Sequence, residues 1–181
     1  MKKLLSAISI FFIAFAAVCQ DKDVVPVTAN LIAEGLPAIP QSLKSNVQLY
    51  SESRGASFVD WHPVQNTMLV ATRFGNTPQL HHVKMPLGSR KQLTFFEDAV
   101  AGATFEPREG RYFIFSKDQG GNEFGQLYRY DVATGKTTLI TDGGRSQNGG
   151  INWNNAGDRV AFSSTKRNGT DRDVYLMDPT D

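Results

Sequence analysis

Three stretches of this chain repeat one pattern at a fixed period, and that period limits the fold more than any single motif does. Gln79-Leu80-His81-His82-Val83 aligns with Gln126-Leu127-Tyr128-Arg129-Tyr130 and with Asp173-Val174-Tyr175-Leu176-Met177. Leu80, Leu127 and Val174 are each 47 residues apart. Upstream, Asp60-Trp61-His62-Pro63 aligns with Thr104-Phe105-Glu106-Pro107 and Asn152-Trp153-Asn154-Asn155. Between these markers, residues 68–72 align with 112–116 and 159–163. The fullest unit runs from Phe105 to Asp142 as short apolar or alternating runs broken by Gly, Asn and Asp turns, with no helical period. A period in the forties with four strands per unit is the signature of a β-propeller blade.

The expected fold class is therefore all-β: an incomplete β-propeller, with two complete four-stranded blades and a third lacking its outer strand. The blades are expected at about 55–96, 97–143 and 144–181. Inner strands should centre near Trp61, Phe105 and Trp153, with these aromatics in the core. Fourth strands are expected at 91–95 and 137–141, and the third blade reaches only its third strand, at 173–177. Fewer than four blades do not close a ring. The chain thus reads as the front piece of a longer protein, whose uncovered apolar face and strand edge would make it associate when expressed alone.

The start of the chain bears on location. Met1-Lys2-Lys3 is followed by an apolar run at 4–18, 15 residues long, short of the roughly 20 that span a bilayer. A basic start, a short apolar core and small residues at its end read as a secretory signal peptide, 1–19, cleaved after Cys19. Lipid modification of Cys19 is the rival reading, disfavoured by the bulky Val18. Cys19 is the only cysteine, so a mature chain has neither disulfides nor cysteine-ligated zinc. Loss of Lys2 and Lys3 leaves 17 basic against 18 acidic residues, which gives no electrostatic footprint for nucleic acid. Residues 20–54 read as an extended lead-in, punctuated by Pro37 and Pro40, with one or two helical turns at 41–47 and a tail laid against the first blade.

Several constellations carry less chemistry than they suggest. Ser146, in Gly144-Arg145-Ser146-Gln147-Asn148, lacks the glycine two residues on and the strand–turn–helix context of a nucleophile elbow. Ser116-Lys117-Asp118-Gln119-Gly120 resembles part of an Asp-box but reads as a solvated turn. In Asn168-Gly169-Thr170-Asp171-Arg172-Asp173 the two aspartates fall short of a calcium loop. His62 aligns with Glu106 and Asn154 as a turn residue. His81 and His82 are adjacent in a strand and must point to opposite faces, so they cannot share a metal. No catalytic, cofactor-binding or metal-binding residue is assigned.

The runs Trp61-His62-Pro63, Thr72-Arg73-Phe74-Gly75-Asn76-Thr77-Pro78-Gln79-Leu80-His81 and Gln92-Leu93-Thr94-Phe95-Phe96 resemble the first propeller blades of bacterial prolyl oligopeptidase-family serine peptidases (dipeptidyl- and acylaminoacyl-peptidase-like). Val100-Ala101-Gly102-Ala103, Phe115-Ser116-Lys117-Asp118 and Ser163-Ser164-Thr165-Lys166-Arg167-Asn168-Gly169 extend the likeness, from about Leu31 onward. The resemblance implies a substrate-gating propeller in a secreted or periplasmic peptidase acting on short peptides. Its partners would be the remaining blades and an α/β-hydrolase domain of the same parent. No residue of that family's Ser-Asp-His triad has a counterpart in this chain. The alternative is a periplasmic propeller of the Tol translocation type, a non-catalytic protein-binding module, which shares the Val-Tyr-Leu-Met-Asp ending at Val174 to Asp178.

Overall fold

A computed structural model describes residues 23–181, which divide into two compact units, one ending at Ser53 and one of residues 54–181. The signal peptide at 1–19 and its cleavage point at Cys19 lie outside the described residues.

In the first unit, residues 23–41 fold back on themselves. Val24 bridges Pro40, the Val25 amide donates to the Ile39 carbonyl at 2.8 Å, and the Gln41 amide donates to the Asp23 carbonyl at 2.7 Å. Helix α1 (Gln41–Ser51) follows. It runs a turn beyond the expected 41–47 because neither Pro nor Gly interrupts it before Gly55. The i, i+4 bond from Gln48 Nε2 to Glu52 Oε1 at 3.0 Å supports that last turn. None of its side chains is buried.

The second unit holds eleven strands in three antiparallel sheets. The first sheet is β1 (Ala56–Trp61), β2 (Met68–Thr72), β3 (Gln79–Val83) and β4 (Arg90–Gln92), in sequential order. The second is β5 (Ala103–Phe105), β6 (Tyr112–Lys117), β7 (Gln126–Asp131) and β8 (Thr137–Leu139). The third contains β9 (Asn148–Trp153), β10 (Val160–Ser164) and β11 (Asp173–Met177), with β11 at its edge. Two four-stranded blades and one of three strands make an incomplete propeller.

The pairing corrects the repeat alignment by one residue. Trp61, Phe105 and Trp153 sit opposite Met68, Phe113 and Val160. Gln79, Gln126 and Asp173 sit opposite Thr72, Lys117 and Ser164. The equivalents of 68–72 are therefore 113–117 and 160–164, not 112–116 and 159–163. A one-residue slip exchanges the two faces of a strand. The sequence conceals it because both faces are apolar: Phe113 and Phe115 are fully buried on one side, Ile114 on the other.

Alternation distributes the core between the sheets. Leu69 and Leu80 of the first sheet pack with Val100, Phe105, Phe113, Phe115 and Tyr130. Phe113 stacks on Tyr130 at 4.7 Å and meets Phe105 edge-on at 5.8 Å. On the other face of the second sheet, Ile114 and Leu127 pack with Val160 and Phe162. Burying each such side chain contributes about 1.5–3 kcal/mol.

The inner aromatics do not all enter the core as expected. Phe105 is buried against the first sheet and Trp153 packs half-buried against the second, but Trp61 is 57% exposed. Each aromatic leans towards the sheet before its own. Within this unit no sheet precedes the first, so Trp61 has nothing to lean on.

The fourth strands are shorter than the expected 91–95 and 137–141. Beyond Gln92 and Leu139 one backbone bond remains on each, from the Leu93 and Ile140 amides to the Leu80 and Leu127 carbonyls. The Thr94 and Thr141 hydroxyls then accept the Leu80 and Leu127 amides at 2.9 and 3.0 Å.

Candidate interaction faces

The residues singled out from sequence are nearly all absorbed by turns. The Ser146 hydroxyl, itself buried, donates to Asp142 Oδ1 at 2.6 Å and accepts from Asn148 Nδ2 at 3.1 Å. No histidine side chain meets it among the described residues. His62 Nδ1 accepts the Val64 and Gln65 amides at 3.2 and 3.1 Å. Glu106 does the same for the amides of Arg108, Glu109 and Gly110, and Asn154 for those of Asp158 and Arg159. Three different side chains at one repeat position thus cap the same turn. Gly110 is required there: at φ +65°, a Cβ would stand 2.5 Å from His62 Nε2.

His81 and His82 face opposite sides of β3, opposite Val70 and Leu69 respectively. Burial pushes both below the ordinary histidine range, with the charge of Arg90 adding to the effect on His81 and that of Lys84 on His82. In the turn at 116–120, Asp118 Oδ2 accepts the Glu123 amide at 3.1 Å and Asp98 Oδ1 accepts the Gly120 amide at 2.8 Å. In the turn at 168–173, Asn168 Oδ1 accepts the Thr170 and Asp171 amides, and Arg167 pairs with Asp173 at 2.6 Å and Asp171 at 3.5 Å. A cation at these aspartates would have to displace that guanidinium.

One recurrent device went unread in the sequence. The Gln79 and Gln126 side chains, both buried, bind the segment that leaves their own blade. Gln126 Nε2 donates to the Ser146 and Gly144 carbonyls at 2.9 and 3.1 Å, and its Oε1 accepts the Thr141 hydroxyl and Gly143 amide at 2.7 and 3.0 Å. Gln79 binds the Phe96 and Asp98 carbonyls and the Phe96 amide likewise. The signal was present as Gln-Leu with Thr fifteen residues after the Gln, at 79/94 and 126/141. The third sheet has Asp173 at that position, engaged by Arg167.

What remains unabsorbed lies on the two outward faces of the arc. On the third sheet Val174 and Leu176 are 78% and 69% exposed, and β11 has no strand beyond it among the described residues. On the first sheet Phe58 and Trp61 are exposed with ring centroids 5.6 Å apart. In the turn after β2, Phe74 carries two guanidiniums, Arg90 at 5.0 Å and Arg54 at 5.7 Å from its ring centroid. Arg90 Nη1 donates to Thr72 Oγ1 at 3.0 Å and to the Arg54 carbonyl at 3.1 Å. Neither guanidinium pairs with a carboxylate among the described residues. The edge of the Phe74 ring meets fully buried His81 at 5.2 Å, whose Nε2 has no hydrogen-bond partner. Such surfaces suit the binding of another sheet face or of polypeptide.

Comparison with known proteins agrees with this architecture. A protein assigned as TolB from Agrobacterium tumefaciens superposes with a TM-score of 0.56 at 21% identity, over 70% of this chain and 47% of that one. The fold is a TolB-like β-propeller. TolB from Acinetobacter baumannii matches at TM-score 0.48 and 22% identity, over 71% of this chain and 30% of that one. A conserved lipoprotein of Clostridium novyi NT matches at 0.48 and 10%, over 70% and 90%. The chain spans about half the length of the Agrobacterium protein. No family model matches the sequence, and no curated protein does. The expected likeness to prolyl oligopeptidase-family peptidases gains no support from the Agrobacterium protein, whose fold is the one that the Tol-type alternative expected. Among the described residues no helix is long and apolar enough to cross a membrane.

Proposed function

We propose that this chain belongs to an exported, TolB-type propeller that works by binding protein rather than by cleaving peptides. The observation that carries the reading is the arc itself: two four-stranded blades and a three-stranded one of TolB-like fold, with an open β11 edge and exposed Val174 and Leu176 suited to further β-structure. The one serine in a suggestive sequence context is held by Asp142 and Asn148 rather than by a base. Export rests on the basic start and the apolar run at 4–18. A further blade of the same protein is the natural occupant of the third sheet's outward face and the β11 edge, since each blade buries its flat face only against a neighbour.

Reading the coding sequence past Asp181, together with the C-terminal peptide of the native protein, tests this directly. Further blades without a hydrolase domain support the reading. An α/β-hydrolase domain with a Gly-x-Ser-x-Gly elbow after the propeller overturns it in favour of a peptidase.

A further inference from the structure

The repeat supplies its own comparison for the cationic cluster on the first sheet. On the second sheet the equivalent place is filled. Lys117, which sits where the first sheet has Thr72, lies with its Nζ 5.2 Å from the Phe96 ring centroid and 5.6 Å from that of Tyr128. Phe96 also packs on Phe115 at 5.8 Å. The charge is met by Asp98 at 3.0 Å, in a pair whose side chains are only 9% and 20% exposed. Phe96 and Asp98 both come from the extended segment that enters the second blade. That segment delivers an aromatic ring and, two residues later, a carboxylate.

On the first sheet every part of this arrangement is present except the carboxylate. Val70, Thr72 and His81 stand where the second sheet has Phe115, Lys117 and Tyr128. Phe74, from the blade's own turn, supplies the aromatic cover. Arg90 brings the cation to Thr72 Oγ1. By cross-strand register, which carries a bulge in β1, Phe58 stands where the second sheet has Ala103, so the place of Asp98 falls at Ser53, next to Arg54. No carboxylate stands there, and the adjoining Arg54 brings a second cation to the Phe74 ring. From Arg54 to Phe96 inclusive the sequence carries five basic residues and one acidic, and that acid, Asp60, is turned to the Phe105 amide at 2.8 Å.

We infer that the outward face of the first sheet binds an extended polypeptide segment bearing an aspartate or glutamate, whose carboxylate meets Arg90 and Arg54 beside the Phe74 ring. A guanidinium favours a carboxylate for its fork geometry. Exposed Phe58 and Trp61 give the flanking residues of the segment an apolar seat. This inference stands on the geometry of the first sheet alone, so it survives or fails independently of the functional reading above.

The probe is the chain's own strap as a peptide, acetyl-Thr-Phe-Phe-Glu-Asp-Ala-amide, titrated into the mature protein at its natural length and followed by NMR at the Trp61 indole and Arg90 Nε–H. Saturable shifts at both are expected, weakened by added salt. The analogue with Gln and Asn in place of the two acids should bind about three- to fivefold more weakly, as should the native peptide to Arg90→Gln. Arg54→Gln, which keeps the backbone carbonyl that Arg90 uses, is the second variant should Arg90→Gln not fold. Equal binding of the acidic and amide peptides would show apolar docking only and overturn the inference. So would an absence of shifts, indifference to Arg54→Gln, or acetate shifting the same signals as strongly as the peptide.

Discussion

Replacing Gln126 by alanine should destabilise the second blade more than its surface position in sequence suggests. The side chain is 6% exposed and makes four bonds of 3.1 Å or less, to Gly144 O, Ser146 O, Thr141 Oγ1 and Gly143 N. A typical hydrogen bond is worth about 1 kcal/mol net, and a buried group left without a partner costs about 1–3 kcal/mol. Water reaches part of the loop once the amide is gone, so not all four groups bear the full penalty. A loss of about 3 kcal/mol follows. Gln126→Glu keeps the acceptor but sets a carboxylate against two carbonyls, so it should recover little. Urea denaturation gives the size of the effect, and hydrogen exchange gives its place, with protection lost first at 140–148. A loss below about 0.5 kcal/mol, the range of ordinary surface substitutions, would refute the claim that this amide ties each blade to the segment leaving it.

Three further outcomes are expected. Asp98 is held below its ordinary value, first by the Lys117 hydrogen bond and next by the Gly120 amide. Its stabilisation is therefore complete above about pH 3.9 and lost as pH falls through the folded value; in pH-dependent melts, the difference between wild type and Lys117→Met should shrink on acidification. Ser146→Ala should cost about 1 kcal/mol in denaturant melts, without changing reactivity towards a fluorophosphonate probe. N-terminal sequencing of the protein from its host should begin near Gln20 or Asp21; an intact Met1 would overturn export, and a lipid on Cys19 would make the protein membrane-anchored.

The sequence made the blades legible because turn chemistry recurs while the side chains that perform it change. His62, Glu106 and Asn154 share no chemical class beyond the ability to accept amide protons, yet their alignment located the same turn three times. Strand register was harder. In the second strands apolar residues occupy both faces, so hydrophobic pattern did not distinguish Tyr112 from Phe113 as the equivalent of Met68; cross-strand pairing did. The exposure of Trp61 was hidden for a different reason. An aromatic reads as core in any repeat, and its burial depends on a neighbouring sheet that the local sequence does not describe. The Phe74–Arg90–Arg54 cluster was equally hidden, because its parts come from the lead-in, a turn and the fourth strand, and only the sheet brings them together.

The most direct test of a binding rather than a peptide-cleaving role uses the native protein, isolated at its natural length from the host. It would be incubated with a fluorophosphonate probe and, separately, with a chromogenic short-peptide substrate. The account predicts no labelled serine and no hydrolysis, because an activated serine needs a histidine base, an acid to orient it and an oxyanion hole. A covalently labelled serine, matched by peptide hydrolysis that the probe abolishes, would contradict it.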